Sequence, residues 1–314
     1  MKKVSIVIPC YNETDNVELM SDCIRGMFDG ELKAYDHELI FIDNASTDGT
    51  REKIRAICRE HSDVKAIFNN RNYGAFSSPF HAMLQADGDC VIILACDFQE
   101  PPELIPEFIR KWEEGAEVVC GVQSGSRENR LVRAFRNMYY RLMRMGTDLD
   151  YIAHFTGFGL FDRTFVEILR EADDPLPFLR GMVVEFGSRI EKVYYEQPKR
   201  MHGKTHHGFL QLYDAAMISF TSYTSMGLRL VTLFGFIVGA FSFVTGVIYL
   251  IYKLVNWYKF DAGMAPVLIG LFFLGAVILI SIGLMGEYLI NINRRLMHRP
   301  LVTESERINF ERKS

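Results

Sequence analysis

Residues 91–104 read VIILACDFQEPPEL, and the order of residue types in this stretch decides the fold. Val91 to Leu94 is an apolar run of strand length that stops abruptly at Asp97, Gln99 and Glu100. Pro101, Pro102 and Glu103 follow, and proline with an acidic neighbour in a first turn is a helix-start signal. A buried strand that ends in oxygen-bearing side chains and turns into a helix is the building unit of a parallel α/β sheet. Ligands in such sheets sit outside the carboxyl ends of the strands. On this stretch alone two readings of the oxygens stay open: a metal site, or capping of the next helix.

The same pattern repeats on both sides. KVSIVIP, HELIFID, VKAIFN, DCVIILA and AEVVCGV are candidate strands up to about residue 122. Helical patterns begin near Asp15, Thr47, Ala75 and Pro102, and Ser46 or Thr47 in NASTDGT is a candidate cap, with Asp48 in the first turn. Strands alternating with helices predict a mainly parallel sheet covered on both faces. Its strand ends carry Pro9-Cys10-Tyr11-Asn12-Glu13, Asp43-Asn44, Asn69 to Asn72, and Asp97 to Glu100, which such a sheet brings to one crevice. Beyond it, ENRLVRAFRNMYYRLMRMG reads as a helix with Arg127, Arg130, Arg133 and Arg136 at i, i+3 spacing. That row is either a solvated basic face or a surface for anions or lipid headgroups. HFTGFGLFDR, a proline-containing loop DDPLPFLRG, a strand-like RIEKVYYEQ and a basic loop PKRMHGKTHHG follow.

Hydrophobicity is concentrated late in the chain. Between Arg229 and Lys253 lie 23 residues without a charge, and between Asp261 and Glu287 lie 25 more. Each matches the ~20 residues a helix needs to cross ~30 Å of hydrocarbon. Tyr249, Tyr252, Trp257 and Tyr258 gather where the first span would leave the bilayer, as an aromatic belt does. FLQLYDAAMISFTSYTSMGL, residues 209–228, reads as amphipathic helix lying on the membrane. Arg229 on one flank and Arg294, Arg295 and Arg299 on the other outweigh Lys253 and Lys259, which Asp261 opposes. The positive-inside rule then places both termini in the cytoplasm. Gly235, Gly239 and Gly246 allow close packing of spans in a homo-oligomer. The expected division is a catalytic domain over 1–207, juxtamembrane helices over 208–229, a hairpin over 230–290 and a C-terminal tail over 291–314, in which TESERINFERKS reads as frayed.

Composition excludes other classes. The net charge is −4 over 314 residues, so bulk charge gives no indication of nucleic-acid binding. Six cysteines, Cys10, Cys23, Cys58, Cys90, Cys96 and Cys120, lie in the first 120 residues without metal-finger spacing. They read as reduced core thiols of a cytosolic domain. MKKVSIVIPCYNE lacks the apolar core of a signal peptide and reads as a first strand. Asp97, Gln99 and Glu100 offer hard oxygen ligands, which suit Mg2+ or Mn2+ shared with substrate phosphates. With no cysteine or histidine in the cluster, zinc is disfavoured.

SIVIPCYNE, IDNASTDGT, NRNYGAFSSPFHAML, CDFQEPPEL and RGMVV stand in the order seen in glycosyltransferase family 2, and the chain resembles that family over nearly its whole length. With two C-terminal spans it is similar to polyprenyl-phosphate glycosyltransferases of the dolichol-phosphate mannose synthase type, and within them to the bactoprenol glucosyl transferase subgroup. The resemblance implies a GT-A fold with helices on both faces of the sheet, followed by interfacial and transmembrane helices. It implies a metal-dependent enzyme in a bacterial inner (plasma) membrane. That enzyme moves a sugar, UDP-glucose being the leading donor, from a nucleotide sugar to a polyprenyl (undecaprenyl) phosphate in the bilayer.

Carried over residue by residue, Pro9, Tyr11 and Glu13 correspond to the segment that cradles the nucleotide, and Asp43 to the acidic residue aimed at the base. Asn44 and Asn72 join them on the donor side. Asp97 and Gln99 correspond to metal-site residues. Arg127, Arg133, Arg136, Arg200, Lys204 and His206 are candidates for the acceptor phosphate, with Asp97, Arg133 and Arg200 assigned to catalysis. Four positions depart from the family pattern. Ala95 stands for the first Asp of D-x-D, and Asn44 for a second aspartate. His206 stands for a lysine, with Lys204 nearby, and Gly157-Phe158-Gly159 replaces a segment that usually carries an acid. Glu100 stays between the capping and metal roles.

Overall fold

The computed structural model describes residues 1–124, 152–198, 217, 221, 226–255, 264–297 and 299–310. They form two compact units. The first contains residues 1–124, 152–198 and 299–310, and the second contains the long helices of residues 226–255 and 264–296.

The first unit is one eight-stranded sheet. Its strands are β1 (Lys3–Cys10), β2 (Asp36–Asp43), β3 (Val64–Asn69), β4 (Cys90–Ile93), β5 (Val118–Gln123), β6 (Phe155–Asp162), β7 (Ile190–Tyr195) and β8 (Glu304–Ile308). Their order is β7-β5-β6-β4-β1-β2-β3-β8. β1 pairs in parallel with β2 and β4, β2 with β3, and β5 with β7. β6 runs against β4 and β5, and β8 against β3. The expected mainly parallel sheet is therefore present, with β6 and β8 reversed within it.

Helices α1 (Val17–Asp29), α2 (Thr50–Glu60) and α4 (Ile105–Glu113) cover one face. The other face packs against α3 (Gly74–Gln85), α5 (Arg163–Ala172) and α6 (Leu179–Phe186). Strand side chains alternate between faces, and both sides are apolar: Val4, Ile6 and Ile8 enter the first core, while Val7, Ile40, Ile42 and Ile67 enter the second. Burial on both faces is why β1 to β4 read as continuous apolar runs instead of alternating ones.

Three expectations change. Neither Ser46 nor Thr47 caps α2, which starts at Thr50 after Gly49. Ser46 Oγ instead accepts the Asn12 N–H at 2.9 Å, and Asp48 Oδ2 accepts the Thr14 N–H at 3.2 Å, tying the β1 loop to the α2 loop. Part of the proline-containing loop is helical: Leu179 onward forms α6. The stretch read as a frayed tail is ordered over its described residues, because Glu304–Ile308 is β8, zipped along β3. Exposure alternates along ESERI, with Ser305 and Arg307 on the open side, a pattern that suits an edge strand exposed on one side.

In the second unit α7 (Met226–Val255) and α8 (Met264–Leu296) are both long and apolar enough to cross a membrane. Among the described residues, nothing buries their most apolar windows. Hydroxyls within them turn inward to their own backbone: Thr232, Thr245 and Ser281 each donate to the carbonyl four residues earlier, at 2.9, 2.8 and 2.8 Å. That satisfies polar groups where water is absent. The expected interfacial stretch over 209–228 lies mostly outside the described residues.

Candidate active site

The chain runs from β1 to β2 on one side, while β4 lies on the other side of β1. This reversal of direction across β1 is the topological switch point, where such sheets open a crevice at their carboxyl edge. The antiparallel strands add to that edge. Because β6 runs against β4, its first residues lie beside the end of β4; because β8 runs against β3, Thr303 and Glu304 lie beside Asn69 and Asn70.

At the β4 end the chain turns tightly, with Phe98 in the left-handed region at φ 57°. Asp97, 6% exposed, accepts the Gln99 N–H through Oδ1 at 3.1 Å. Glu100 reaches back across the turn, accepting the Ala95 N–H at 2.8 Å and the Thr156 hydroxyl, from the start of β6, at 2.8 Å. Pro102–Leu104 then forms a single 3-10 turn leading into α4, with no side-chain cap on either. The capping reading of Asp97 and Glu100 is thereby excluded: both carboxylates stay with the strand ends. Burial pushes the Glu100 carboxyl up to about 7, against the lowering effect of its two hydrogen bonds. Burial, and then the neighbouring Glu100 and Asp97 charges, also push the Tyr195 hydroxyl up. Arg180 on α6 donates to the Thr156 carbonyl through Nη2 at 3.2 Å and Nε at 3.3 Å, which brings a guanidinium to this rim.

The glycines that replace an acidic segment have structural reasons. Gly157 lies at φ 112°, a conformation that a side chain strains. Gly159 pairs with Cys120 so closely that an added Cβ would run into the Val119 carbonyl.

At the β2 end, Asp43 is fully buried and its oxygens are committed. It accepts the Ala45 N–H at 3.1 Å, the Ser46 N–H at 3.2 Å and Arg51 Nε at 2.6 Å. Arg51 also donates to the Asn69 carbonyl, joining the ends of β2 and β3. Asn44 Nδ2 donates to Asn72 Oδ1 at 2.9 Å and to the Gly74 carbonyl at 3.1 Å. Asn44 Oδ1 accepts the Tyr73 N–H at 2.8 Å and Asn69 Nδ2 at 3.2 Å. At the β1 end Pro9 is inside the strand, Tyr11 follows it, and Glu13 accepts Asn16 Nδ2 at 2.6 Å while its N–H meets Thr50 Oγ1 at 2.9 Å.

Of the sequence-predicted residues, Pro9, Tyr11, Glu13, Asp43, Asn44, Asn72, Asp97 and Gln99 thus lie at the ends of adjacent strands. Arg127, Arg133, Arg136, Arg200, Lys204 and His206 lie outside the described residues. Thr156, Arg51 and Tyr195 were not anticipated, and Arg180 only as part of RGMVV.

Among the described residues no group of three or more His, Cys, Asp or Glu side chains is gathered as a metal cage. Asp97 and Gln99 supply one carboxylate and one amide oxygen, which fits an ion that takes its other ligands from a diphosphate and water.

Residues 5–169 match the family model described as glycosyl transferase family 2. The chain is 31% identical to a bactoprenol glucosyl transferase of Shigella phage SfV, over 95% of this chain and 96% of that one. It is 29% identical to a prophage bactoprenol glucosyl transferase homolog of Escherichia coli (strain K12), over 91% and 93%. Among solved structures, glucosyl-3-phosphoglycerate synthase from Mycobacterium tuberculosis, in complex with Mn2+, UDP and phosphoglyceric acid, is similar with a TM-score of 0.47. The identity there is 20%, over 70% of this chain and 76% of that chain.

Proposed function

The chain belongs to glycosyltransferase family 2, and on that premise we propose that it transfers a sugar, with inversion, from a nucleotide sugar to a polyprenyl phosphate held in a bilayer. UDP-glucose is the donor we favour, since relatives that match nearly the whole chain include a bactoprenol glucosyl transferase and a homolog of one. The observation that carries the reading is the convergence of polar strand ends at the switch point between β1 and β4, with Asp97 and Gln99 on one side and the Asn44 loop on the other.

The chemistry asks little of a general base. A phosphate monoester has a second pKa of about 6 and is already a dianionic nucleophile near neutral pH. The rate then depends on positioning and on stabilising charge as the nucleotide diphosphate departs. In this reading Pro9, Tyr11, Glu13, Asp43, Asn44 and Asn72 shape the nucleotide side. Asp97 and Gln99 would hold Mg2+ or Mn2+, which neutralises charge on the diphosphate when bound. Arg133, Arg200 and Lys204, with Arg127, Arg136 and His206, draw in the lipid phosphate, and Arg180 lends positive charge to the same rim. α7 and α8 keep the enzyme where a polyprenyl substrate resides. β8 supports a same-side arrangement, because the chain after α8 rejoins the sheet built before α7.

The test is a donor screen with purified protein and undecaprenyl phosphate, with and without Mg2+ or Mn2+. Transfer from UDP-glucose that needs the ion and falls by at least about a hundredfold in Asp97→Asn is the expected result, as for a lost transition-state electrostatic contact. Unchanged transfer in that variant removes Asp97 from the mechanism, and transfer only to another lipid overturns the acceptor.

A further inference from the structure

The segment 301–310 does more than cover a sheet edge. Its pairing with β3 shifts register between Phe68 and Asn69, where Glu306 faces Phe68 and Glu304 faces Asn69. The intervening Ser305 fills the irregularity by donating its hydroxyl to the Phe68 carbonyl at 2.9 Å. One step further, the Asn70 N–H donates to the Thr303 carbonyl at 3.0 Å. Thr303 also hydrogen-bonds Tyr73, whose hydroxyl donates to Asn70 Oδ1 at 2.7 Å. The residues held in this way are those of the loop that bonds Asn44.

Side-chain contacts tie β8 to the flanking helices α3 and α2. Glu304 meets His81 at 2.6 Å and also pairs with Arg307. Glu306 meets Arg55 at 2.7 Å, and that guanidinium lies 4.8 Å over the Phe68 ring. At the far end Asn309 Nδ2 donates to the Cys58 and Val64 carbonyls, both at 2.8 Å. Val302 is buried, but β8 itself is only half covered. The strand therefore depends on pairing and charge more than on burial. A continuous set of contacts runs from Thr303 through Asn70 and Tyr73 to Asn44, and through Asn69 and Arg51 to Asp43.

We propose that Glu304 and Glu306 are positioning residues for nucleotide-sugar binding: by anchoring β8 to α3 and α2 they keep it paired with β3 and so hold the Asn69–Gly74 loop in its donor-binding shape. The inference rests on the donor reading above and adds the chain's last strand to the site. The alternative is a strand that merely shields the β3 edge, and the two roles predict different kinetics.

The experiment uses full-length protein in lipid nanodiscs, comparing wild type with Glu304→Gln/Glu306→Gln, which keeps side-chain size and removes both charges. A second variant, Tyr73→Phe, removes the hydroxyl that ties Asn70 and Thr303 to the loop and leaves Glu304, Glu306 and their partners in place. Donor KM and the Kd for UDP are expected to rise about fivefold, equivalent to about 1 kcal/mol. kcat and acceptor KM stay within about twofold, below the roughly 0.4 kcal/mol level that counts as a resolved change. Amide exchange at residues 69–74 accelerates in both variants, and Glu306→Asp on the Glu304 background recovers part of the affinity. A lower melting temperature with donor KM, UDP Kd and exchange at 69–74 all unchanged overturns the proposal in favour of edge shielding. Wild type that binds no UDP fails the donor reading instead; exchange at 69–74 unmoved by the variants then overturns the positioning role as well.

Discussion

Asn44 uses both ends of one amide to hold its loop together, and an aspartate of the same shape cannot do so. Its Nδ2 serves two acceptors, Asn72 Oδ1 and the Gly74 carbonyl, while its Oδ1 serves two donors. Asn72 cannot turn its own amide to help without abandoning the Gly74 N–H, which its Oδ1 accepts at 2.8 Å. In Asn44→Asp a buried carboxylate oxygen faces two acceptors, so the loop it holds loses two bonds and gains a repulsion. The expected loss is about 2 kcal/mol or more, read as a drop in unfolding temperature of the purified protein, together with weaker UDP binding. An unchanged unfolding temperature would show that the loop re-forms without this amide. From the sequence, Asn44 was legible as a polar residue at a strand end and as a departure from a paired aspartate. The reason for an amide was not legible, because its partners come from residues 25 to 30 positions away. Glu100 is the parallel case. Its partner Thr156 becomes a neighbour only because β6 runs antiparallel to β4, and GFGL with its two glycines gives no strong strand signal from which to foresee that.

At the scale of elements, the amino edge of the sheet is closed by a buried charge cluster that lies opposite the crevice. Glu38 on β2 is 1% exposed; it accepts the Ser5 hydroxyl at 2.5 Å and the Asp87 N–H at 2.8 Å, and pairs with Lys65 at 2.6 Å and Lys3 at 2.9 Å. Three strands, β1, β2 and β3, thus meet in one carboxylate. Burial opposes its charge, but these four partners outweigh it and lower the carboxyl to about 2. A depressed folded-state value means the stabilisation is fully present above the ordinary value of 4.5 and is lost as pH falls from there through about 2. The shift corresponds to a contribution on the order of 3 kcal/mol. Glu38→Gln is therefore expected to lower stability at pH 7 by about that amount and to flatten the acid limb of the stability profile. Parallel acid limbs in the two proteins would refute it. The sheet itself was legible from short apolar runs, since β1 to β5 and β7 all match candidate strands. β8 was not, because a charge-rich stretch such as ESERI looks the same whether it faces water from an edge strand or from a tail.

For the whole molecule the decisive feature is that the chain leaves the sheet once and returns to it. α7 and α8 carry windows with mean hydropathy 2.2 and 2.1, and none of the described residues buries them. Helices apolar on all sides need a surrounding apolar solvent, and the uncharged runs made this readable from the sequence alone. Charge counting then gave a direction from only a few arginines and lysines. β8 adds an independent constraint: residues before α7 and after α8 share one sheet, so the number of crossings between them is even. Two helices that both cross satisfy this, whereas one crossing helix and one surface helix would tear β8 from β3. Single cysteines placed in intact cells at residue 62, at residue 258 and at residue 312 test the constraint with a membrane-impermeant thiol reagent. Labelling is expected at residue 258 alone, with 62 and 312 protected until the cells are opened. Labelling of 62 and 312 from outside, with 258 protected, would keep the even crossing but reverse the direction read from the flanking charges. Opposite behaviour of 62 and 312 would be incompatible with β8 pairing to β3, and would remove the C-terminal strand from the donor site together with the topology.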